Sequence, residues 1–334
     1  MHSTSPLPKA FALFSEPGSS TFQLIQCDIN QIIRIQSDRE ILGESGYLFS
    51  PFHSKIDDKL FFPGEAVPCG EWPDKALSFG LLQSNEKQDF TGYVKRIQQS
   101  ISKGNLDKCV AARTSFQSLD TQISIWTLLQ CCRKKYPETW VSAVYHPSAG
   151  LWVTASPELL LRSGSHYAET VALAGTRTKE ERWTDKEKKE QDFVTQYITE
   201  KIPMKAEVSE LQEIQTGELF HLVRKLRWSA AKEKIPIAEN LHPTPALCGT
   251  PPEHALNLIL REEGNNREYF SGYQGYQNKE ISVFYVTIRC ARIFDNGIRY
   301  HAGAGITAES DPDKEYAETE KKINILKTVV SSCR

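Results

Sequence analysis

Long apolar runs, an excess of either charge and a basic leader segment are all missing from this sequence. No stretch of about 18 apolar residues occurs, which argues against a membrane-spanning helix. The 40 lysines and arginines nearly balance the 42 aspartates and glutamates, so the basic excess typical of nucleic-acid-binding proteins is absent. The N-terminal segment lacks the basic and apolar regions of a secretory signal. We therefore expect a soluble, cytoplasmic protein without a nucleic-acid or membrane partner.

Paired cysteine motifs and sequence repeats are also missing. The eight cysteines are scattered and form no Cys-x-x-Cys pair, which disfavours a zinc site or a disulfide framework and predicts reduced thiols. No repeat and no low-complexity linker divides the 334 residues, of which 40% are apolar. A chain of this length and composition can bury a sizeable core.

The pattern of short apolar runs predicts an α+β fold built from large antiparallel sheets with helices packed outside. Residues 1–90 are rich in strand-like runs broken by Pro and Gly, and we assign them to the N-terminal part of one domain. In residues 91–330, strands follow one another in hairpin order between amphipathic helices. Apolar spacing predicts a helix over 216–231 and one continuous strand over 280–296.

Two strand-associated residues could carry acid–base chemistry. Lys108 begins the strand-like segment "KCVAARTS", where a lysine is either a surface residue or a desolvated base with a lowered pKa. Glu158 follows Ser156-Pro157, and the proline holds it at a bend. A glutamate there is either a general acid with a raised pKa or an exposed turn residue.

Three further segments could bind an anion. Gly175 and Thr176 in "ALAGTRTK" offer backbone N–H groups and a hydroxyl. His242 lies in the proline-rich "HPTPALCGTPP", where a structural hydrogen bond is the commoner role. Arg289 interrupts an apolar strand, and a buried guanidinium is best satisfied by a carboxylate.

Acidic residues recur on two predicted helices. Glu190 precedes the apolar stripe of the first, where an exposed charge is the ordinary interpretation. Glu315, Glu318 and Lys322 share one face of the C-terminal helix. By spacing alone, a surface ion pair between Glu318 and Lys322, worth about 0.3 kcal/mol, is the ordinary interpretation, and a helix that holds a metal ion with its carboxylates is the alternative.

In order along the chain, "KCVAAR", "SPELLLR", "ALAGT", "HPTPALCGTPP", "REYFSGYQG", "VTIRCARI" and "AGAGITAESDPDKEYAETEKK" resemble the chorismate-utilising enzyme family. The resemblance covers roughly residues 90–330 and implies a sandwich of antiparallel sheets, with 91–330 as the chorismate-binding catalytic region. The family includes isochorismate, salicylate, anthranilate and aminodeoxychorismate synthases. Lys108 resembles the members that add water at C2 of chorismate, since amine-adding members usually carry glutamine there. Ala174 stands where aminodeoxychorismate synthases place a lysine, which also favours a water-adding enzyme.

The resemblance implies roles for the acid–base and acidic residues. Lys108 resembles the base that activates water, and Glu158 resembles the acid that protonates the departing C4 hydroxyl. Such a lysine must be neutral, so we expect it partly buried with cationic neighbours. Glu190 and Glu318 resemble ligands of Mg²⁺, with Glu315 close by and holding a metal-bound water.

The remaining candidates resemble substrate-binding positions. Arg289 and Lys322 would face the carboxylates of chorismate, and Gly175 and Gly303 would contribute backbone contacts. Thr176 and His242 would line the same pocket.

The implied activity is that of an Mg²⁺-dependent isochorismate synthase, an isomerase feeding menaquinone or siderophore synthesis. A salicylate synthase also keeps the lysine, and Tyr269 and Phe270 bear on that choice. An anthranilate-type synthase and a catalytically inactive binding protein are further alternatives. A water-adding enzyme needs no amidotransferase subunit, and we expect a monomer. Tyr273 and Gln274 depart from relatives, which often have Pro and a small apolar residue there.

Overall fold

The computed structural model describes residues 10–72, 79–82, 88–202, 204–216, 219–229, 236–264 and 266–333. The strands are β1 Ala10–Ser15, β2 Phe22–Cys27, β3 Ile33–Ile35, β4 Gly46–Ser50, β5 Lys59–Pro63, β6 Val67–Cys69, β7 Lys108–Ser118, β8 Trp140–His146, β9 Gly150–Ser156, β10 Leu159–Ser163, β11 Tyr167–Arg177, β12 Glu207–Val208, β13 Gln212–Thr216, β14 Leu219–Ser229, β15 Gly249–Thr250, β16 Tyr273–Gln277, β17 Ser282–Val286, β18 Cys290–Phe294 and β19 Gly297–Ile306. The α-helices are α1 Phe90–Ser102, α2 Ile125–Lys135, α3 Asp185–Lys201, α4 Ile237–Leu241, α5 Pro252–Glu262 and α6 Pro312–Ser332. Two short 3₁₀ helices cover Ile29–Gln31 and Asp38–Ile41.

Two antiparallel sheets form the framework. The nine-stranded sheet has the order β15-β7-β19-β18-β9-β8-β1-β2-β6, and the ten-stranded sheet has the order β12-β14-β11-β10-β17-β16-β4-β5-β3, with β13 beside β14. Strands from before residue 90 join both sheets. The predicted α+β class with large antiparallel sheets is therefore confirmed.

Alternating side chains place the core on both sides of the nine-stranded sheet. On β1, Ala12 and Phe14 belong to the cluster that also contains Tyr47 and Phe49 of the facing sheet. Leu13 points the other way, into a cluster with residues of α2 and α6. This two-residue period is what a strand buried on both faces requires, and it yields a sandwich with helices outside.

Two neighbouring segments cross between the sheets and interrupt their strands. β9 lies in the nine-stranded sheet, whereas β10, which follows after Pro157 and Glu158, lies in the ten-stranded one. β17 and β18 make the reverse passage through residues 287–289. The continuous strand predicted over 280–296 is therefore wrong, because the chain changes sheet just before Cys290.

The helix predicted over 216–231 is also wrong. Leu219–Ser229 forms β14, which pairs with β11 from Tyr167↔Ser229 to Arg177↔Phe220. Its apolar residues fit the 3.6-residue period of a helix as well as the two-residue period of a strand. Pairing with β11, which is distant in sequence, favours the strand. Residues 217, 218, 230 and 231 of the predicted helix lie outside the described residues.

Cys131 and Cys333 form a disulfide between α2 and the end of α6, with Cα atoms 6.5 Å apart. The expectation of reduced thiols throughout is wrong for this pair, since scattered sequence positions give no sign of spatial proximity. The other six cysteines are free and buried. No helix within the described part of the chain is long and apolar enough to cross a membrane.

Candidate active site

One cavity gathers most of the residues singled out from the sequence. It lies beside the crossing segments and is bounded by β11, β19, α3 and α6. Nine of the eleven predicted site residues line it: Glu158, Gly175, Thr176, Glu190, Arg289, Gly303, Glu315, Glu318 and Lys322. Lys108 contacts the lining residue Glu190, and His242 lies elsewhere.

Glu158 is held in the first crossing segment, between β9 and β10. Its backbone carbonyl accepts a hydrogen bond of 3.0 Å from the N–H of Val286 on the neighbouring segment. The residue is 5% exposed. Burial raises the pKa of Glu158 to about 7, against the lowering effect of Arg289, Lys322 and Lys108. The carboxyl is thus poised to give up a proton near neutral pH.

Arg289 occupies the second crossing segment with a positive φ of 49°. Its side chain is buried, and its Nε has no hydrogen-bond partner among the described residues. Burial lowers the pKa of Arg289 to about 10, against the raising effect of Glu318 and Glu158, so the group stays charged at neutral pH. A buried guanidinium with a donor to spare suits a bound carboxylate.

His221 of β14 supports Arg289 from the side. Burial, with the charges of Arg289 and Lys322, lowers the pKa of His221 to about 3, so the ring is neutral. Its Nε2 lies 3.4 Å from Nη2 of Arg289, which can only donate. Nδ1 therefore carries the proton and faces the carbonyl of Gly175 and the hydroxyl of Thr176, each 3.2 Å away.

Gly175 forms a bulge in β11 that lets helix α3 pack closely against this part of the site. The register of β11 against β14 shifts between Ala174 and Thr176, and Gly175 has a φ of 75°. A Cβ atom at Gly175 would lie 3.1 Å from the Cβ of Glu187. Glycine therefore provides both the left-handed backbone and the space for α3.

Helix α6 presents an ion pair to the cavity. Nζ of Lys322 lies 2.6 Å from Glu318 and donates a hydrogen bond of 2.8 Å to the carbonyl of Gly303. Glu315 is buried and accepts a hydrogen bond of 2.7 Å from the hydroxyl of Ser310. The spacing that resembled a surface pair therefore belongs to a cavity wall.

Lys108 lies at the start of β7 and pairs with Glu190 of α3. Its side chain runs past Gly305, where a Cβ would lie 2.8 Å from the lysine Cε. The lysine is 6% exposed, as expected. Its closest charged partner is an anion, however, whereas cationic neighbours were expected.

His242 lies behind the cavity wall and does not itself line the cavity. Its Nε2 lies 2.7 Å from the carbonyl of Ser271, which does line the cavity, and its ring contacts Phe52 and Tyr273. Burial lowers the pKa of His242 to about 4. The expectation that His242 lines the pocket is wrong, and its structural hydrogen bond is the alternative that the sequence left open.

Other lining residues escaped the sequence analysis. His221 was missed because its segment was predicted to be a helix. Gly305 was missed because a second glycine beside Gly303 gave no sign of a separate role. His301 is buried between Trp152 and Phe270, and neither ring nitrogen has a partner among the described residues. The alternation of β19 could have found His301, because it shares a face with Gly303 and Gly305.

The donor chemistry fits a magnesium ion. Glu190, Glu315 and Glu318 bring carboxylate oxygens to one cavity, and oxygen ligands are those that Mg²⁺ prefers. Within the described ranges, no three acidic, histidine or cysteine side chains are already grouped as a metal site. In this structure Glu190 pairs with Lys108 and Glu318 pairs with Lys322, each through one carboxylate oxygen.

Known proteins identify the family to which this chain is similar. Residues 72–331 match the family described as "Chorismate binding enzyme". The chain is 31% identical over 265 residues to "Isochorismate synthase EntC" of Escherichia coli (strain K12), covering 73% of this chain and 67% of that protein. It is 27% identical over 297 residues to "Isochorismate synthase MenF" of the same strain, covering 83% and 68%.

Structural similarity extends over nearly the full length. The crystal structure of a putative 2,3-dihydroxybenzoate-specific isochorismate synthase, DhbC, from Bacillus anthracis matches with a TM-score of 0.81, 22% identity and 97% coverage of both chains. Fold and sequence thus define an enzyme with two packed antiparallel sheets and a cavity at their crossing strands. The chain belongs to the chorismate binding enzyme family, as its motifs predicted.

Proposed function

We propose that this protein is an isochorismate synthase, an isomerase that converts chorismate to isochorismate. The observation that carries the proposal is the buried Glu158, whose pKa is raised to about 7 in a cavity with two cations, Arg289 and Lys322. Such a carboxyl can protonate a departing hydroxyl at neutral pH. The similarity to two isochorismate synthases supports this reaction.

The reaction exchanges a hydroxyl at C4 for one at C2. Lys108, as the free amine, accepts a proton from water while the water oxygen bonds to C2. The ring double bonds shift, the C4–O bond breaks, and Glu158 gives its proton to the departing hydroxyl, which leaves as water. In the free protein the Lys108 amine contacts Glu190, which lines the cavity.

Charge complementarity supports the placement of substrate. Arg289 and Lys322 would bind carboxylates of chorismate, and His221 keeps the guanidinium oriented. Glu190, Glu315 and Glu318 would hold Mg²⁺, which when bound supplies positive charge beside a substrate carboxylate. Water as nucleophile requires no ammonia source, so we propose that the chain acts without an amidotransferase subunit.

Product analysis tests the function directly. The purified protein is incubated with chorismate and Mg²⁺, and the products are separated by chromatography. Isochorismate as the main product supports the proposal. Salicylate with pyruvate would identify a salicylate synthase, anthranilate formed with added ammonium would identify an amine-adding enzyme, and unchanged chorismate would contradict an enzymatic role.

Lys108→Ala tests the base. We expect turnover to fall about 100- to 10,000-fold, the range usual for loss of a general base. Chorismate should still bind, measured by calorimetry, because Arg289 and Lys322 remain. Unchanged turnover would remove Lys108 from the mechanism.

A further inference from the structure

The side-chain amide of Gln274 on β16 is fully buried and fully hydrogen-bonded. Its Oε1 accepts hydrogen bonds from the hydroxyls of Tyr47, at 2.7 Å, and Ser142, at 2.8 Å. Its Nε2 donates to the hydroxyls of Thr154, at 2.9 Å, and Thr287, at 3.2 Å. A primary amide has two acceptor sites and two donor hydrogens, so its whole capacity is used.

The four partners belong to different layers of the molecule. Tyr47 lies on β4 of the ten-stranded sheet, whereas Ser142 and Thr154 lie on β8 and β9 of the nine-stranded sheet. Thr287 lies in the second crossing segment, between β17 and β18. One side chain therefore joins both sheets at the place where strands pass between them.

Both hydroxyls held by Nε2 lie close in sequence to groups of the active site. Thr154 is four residues before Glu158, and Thr287 is two residues before Arg289. The segments are also joined by the N–H of Ala155, which donates a hydrogen bond of 3.0 Å to the carbonyl of Arg289. Gln274 adds a side-chain bridge to that backbone bridge.

Arg289 depends on such support more than an ordinary strand residue does. Its positive φ is an unfavourable conformation for a residue with a side chain, and it persists only where the surroundings impose it. Thr287 contributes to that imposition, because its carbonyl accepts from Ser271 and its N–H donates to Gly272. The hydrogen bond from Gln274 to the hydroxyl of Thr287 fixes the remaining polar group of Thr287.

We propose that Gln274 is a positioning residue for catalysis: by binding Thr154 and Thr287 together, it sets the placement of Glu158 relative to Arg289. Gln274 itself does not line the cavity. The inference rests on the proposed function only where turnover of chorismate is the readout.

The matched control is Gln277, a second buried glutamine on the same strand. Its Nε2 donates to the carbonyls of Ile41 and Glu44, away from the crossing segments. Gln274→Met and Gln277→Met both remove a buried amide from β16. Only the first should affect the site.

We expect Gln274→Met to lower kcat/KM for chorismate about tenfold to 100-fold, as small displacements of catalytic groups do. Gln277→Met should leave it within about twofold. In a double-mutant cycle, Gln274→Met and Arg289→Lys should combine non-additively, because both alter the same guanidinium. Equal effects of the two methionine variants, or additivity with Arg289→Lys, would overturn the inference.

A milder variant and a second readout separate this inference from the function. Thr287→Val removes one bond and should lower kcat/KM in the same direction if Gln274→Met does not fold. Hydrogen exchange of residues 153–160 and 284–291 should accelerate in Gln274→Met and not in Gln277→Met. This result does not depend on activity, so inactive wild-type protein would refute only the proposed function, and unchanged exchange would refute the positioning role.

Discussion

Burial sets the protonation of the main groups in the cavity. Glu158 and Arg289 are both buried, which raises the pKa of the first to about 7 and lowers that of the second to about 10. At neutral pH the carboxyl can still carry a proton while the guanidinium keeps its charge. One cavity can therefore donate a proton and bind an anion.

Glu158→Gln should abolish the acid function. We expect kcat to fall about 100- to 10,000-fold. In the wild type, kcat/KM should decline as pH rises through about 7, because the proton on Glu158 of the free protein is then lost. Steady-state kinetics between pH 5 and 9, measured for both proteins, would show this; a flat profile through about pH 7 would argue against Glu158 as the acid.

The same substitution should stabilise the fold at high pH. The pKa of Glu158 rises from 4.5 to about 7 on folding, so the folded state binds the proton more tightly and loses stability as pH rises between these values, by up to about 3 kcal/mol. Gln cannot ionise. Urea unfolding should therefore show a larger free energy of unfolding for Glu158→Gln at pH 8, and no such gain at pH 4.

Gly305→Ala should displace Lys108, the proposed base. The new methyl group would lie 2.8 Å from Cε of Lys108 and 3.3 Å from Oε1 of Glu190, so one of them must move. We expect turnover to fall about 100-fold. Gly70→Ala is the control, since a Cβ there meets nothing within 4 Å. Equal activity of both variants would show that Lys108 tolerates displacement.

At this scale the sequence predicted residues that stand inside continuous motifs. Glu158, Arg289 and the α6 residues Glu315, Glu318 and Lys322 all line the cavity. Their sequence motifs indicated the site without knowledge of distant strand pairing. His221 was missed for a different reason: its role depends on β14 pairing with β11, and local apolar spacing favoured a helix. His242 was misplaced because a proline-rich frame does not indicate which wall the ring faces.

Helices α3 and α6 deliver the acidic side of the cavity from outside the sandwich. Glu190 and Glu318 each pair with a lysine, Lys108 and Lys322, and these contacts orient the carboxylates in the free protein. Periodicity predicted both helices, because an amphipathic stripe is a local property. Their convergence could not be predicted from the stripe, because it depends on the bulge at Gly175 and on β19.

On helix α6, Glu318→Gln should weaken the binding of Mg²⁺. Loss of a ligand should raise the Mg²⁺ concentration for half-maximal activity by at least ~10-fold. Asp313→Asn, an exposed carboxylate on the same helix, is the control and should leave the titration unchanged. Coincident Mg²⁺ titrations for Glu318→Gln and wild type would exclude ligation by Glu318.

Across the molecule, the class of fold could be predicted, and the path of the chain could not. Strand-rich runs in hairpin order pointed to large antiparallel sheets. Pro157 indicated a bend at the first crossing segment but not a change of sheet, and the second gives no local signal, because β17 and β18 form one apolar run in the sequence. Only partners far along the chain decide where that run changes sheet.

The disulfide between Cys131 and Cys333 should stabilise the molecule as a whole. It joins residues 202 positions apart, and a disulfide typically contributes about 2–4 kcal/mol. We expect reductant to lower the urea midpoint of the wild type and to leave that of Cys333→Ser unchanged. Identical wild-type midpoints with and without reductant would show that the bridge does not contribute.

The pairing of β7 with β19 also governs when the site can form. Its register matches Cys109 with Ile306, so Lys108 meets Gly305 only after a contact of very long sequence separation has closed. Such contacts belong to the slow class of folding events. A chain emerging from the ribosome therefore cannot bring Lys108 to Gly305 until β19 has been synthesised, and we expect the candidate active site to form only after that point.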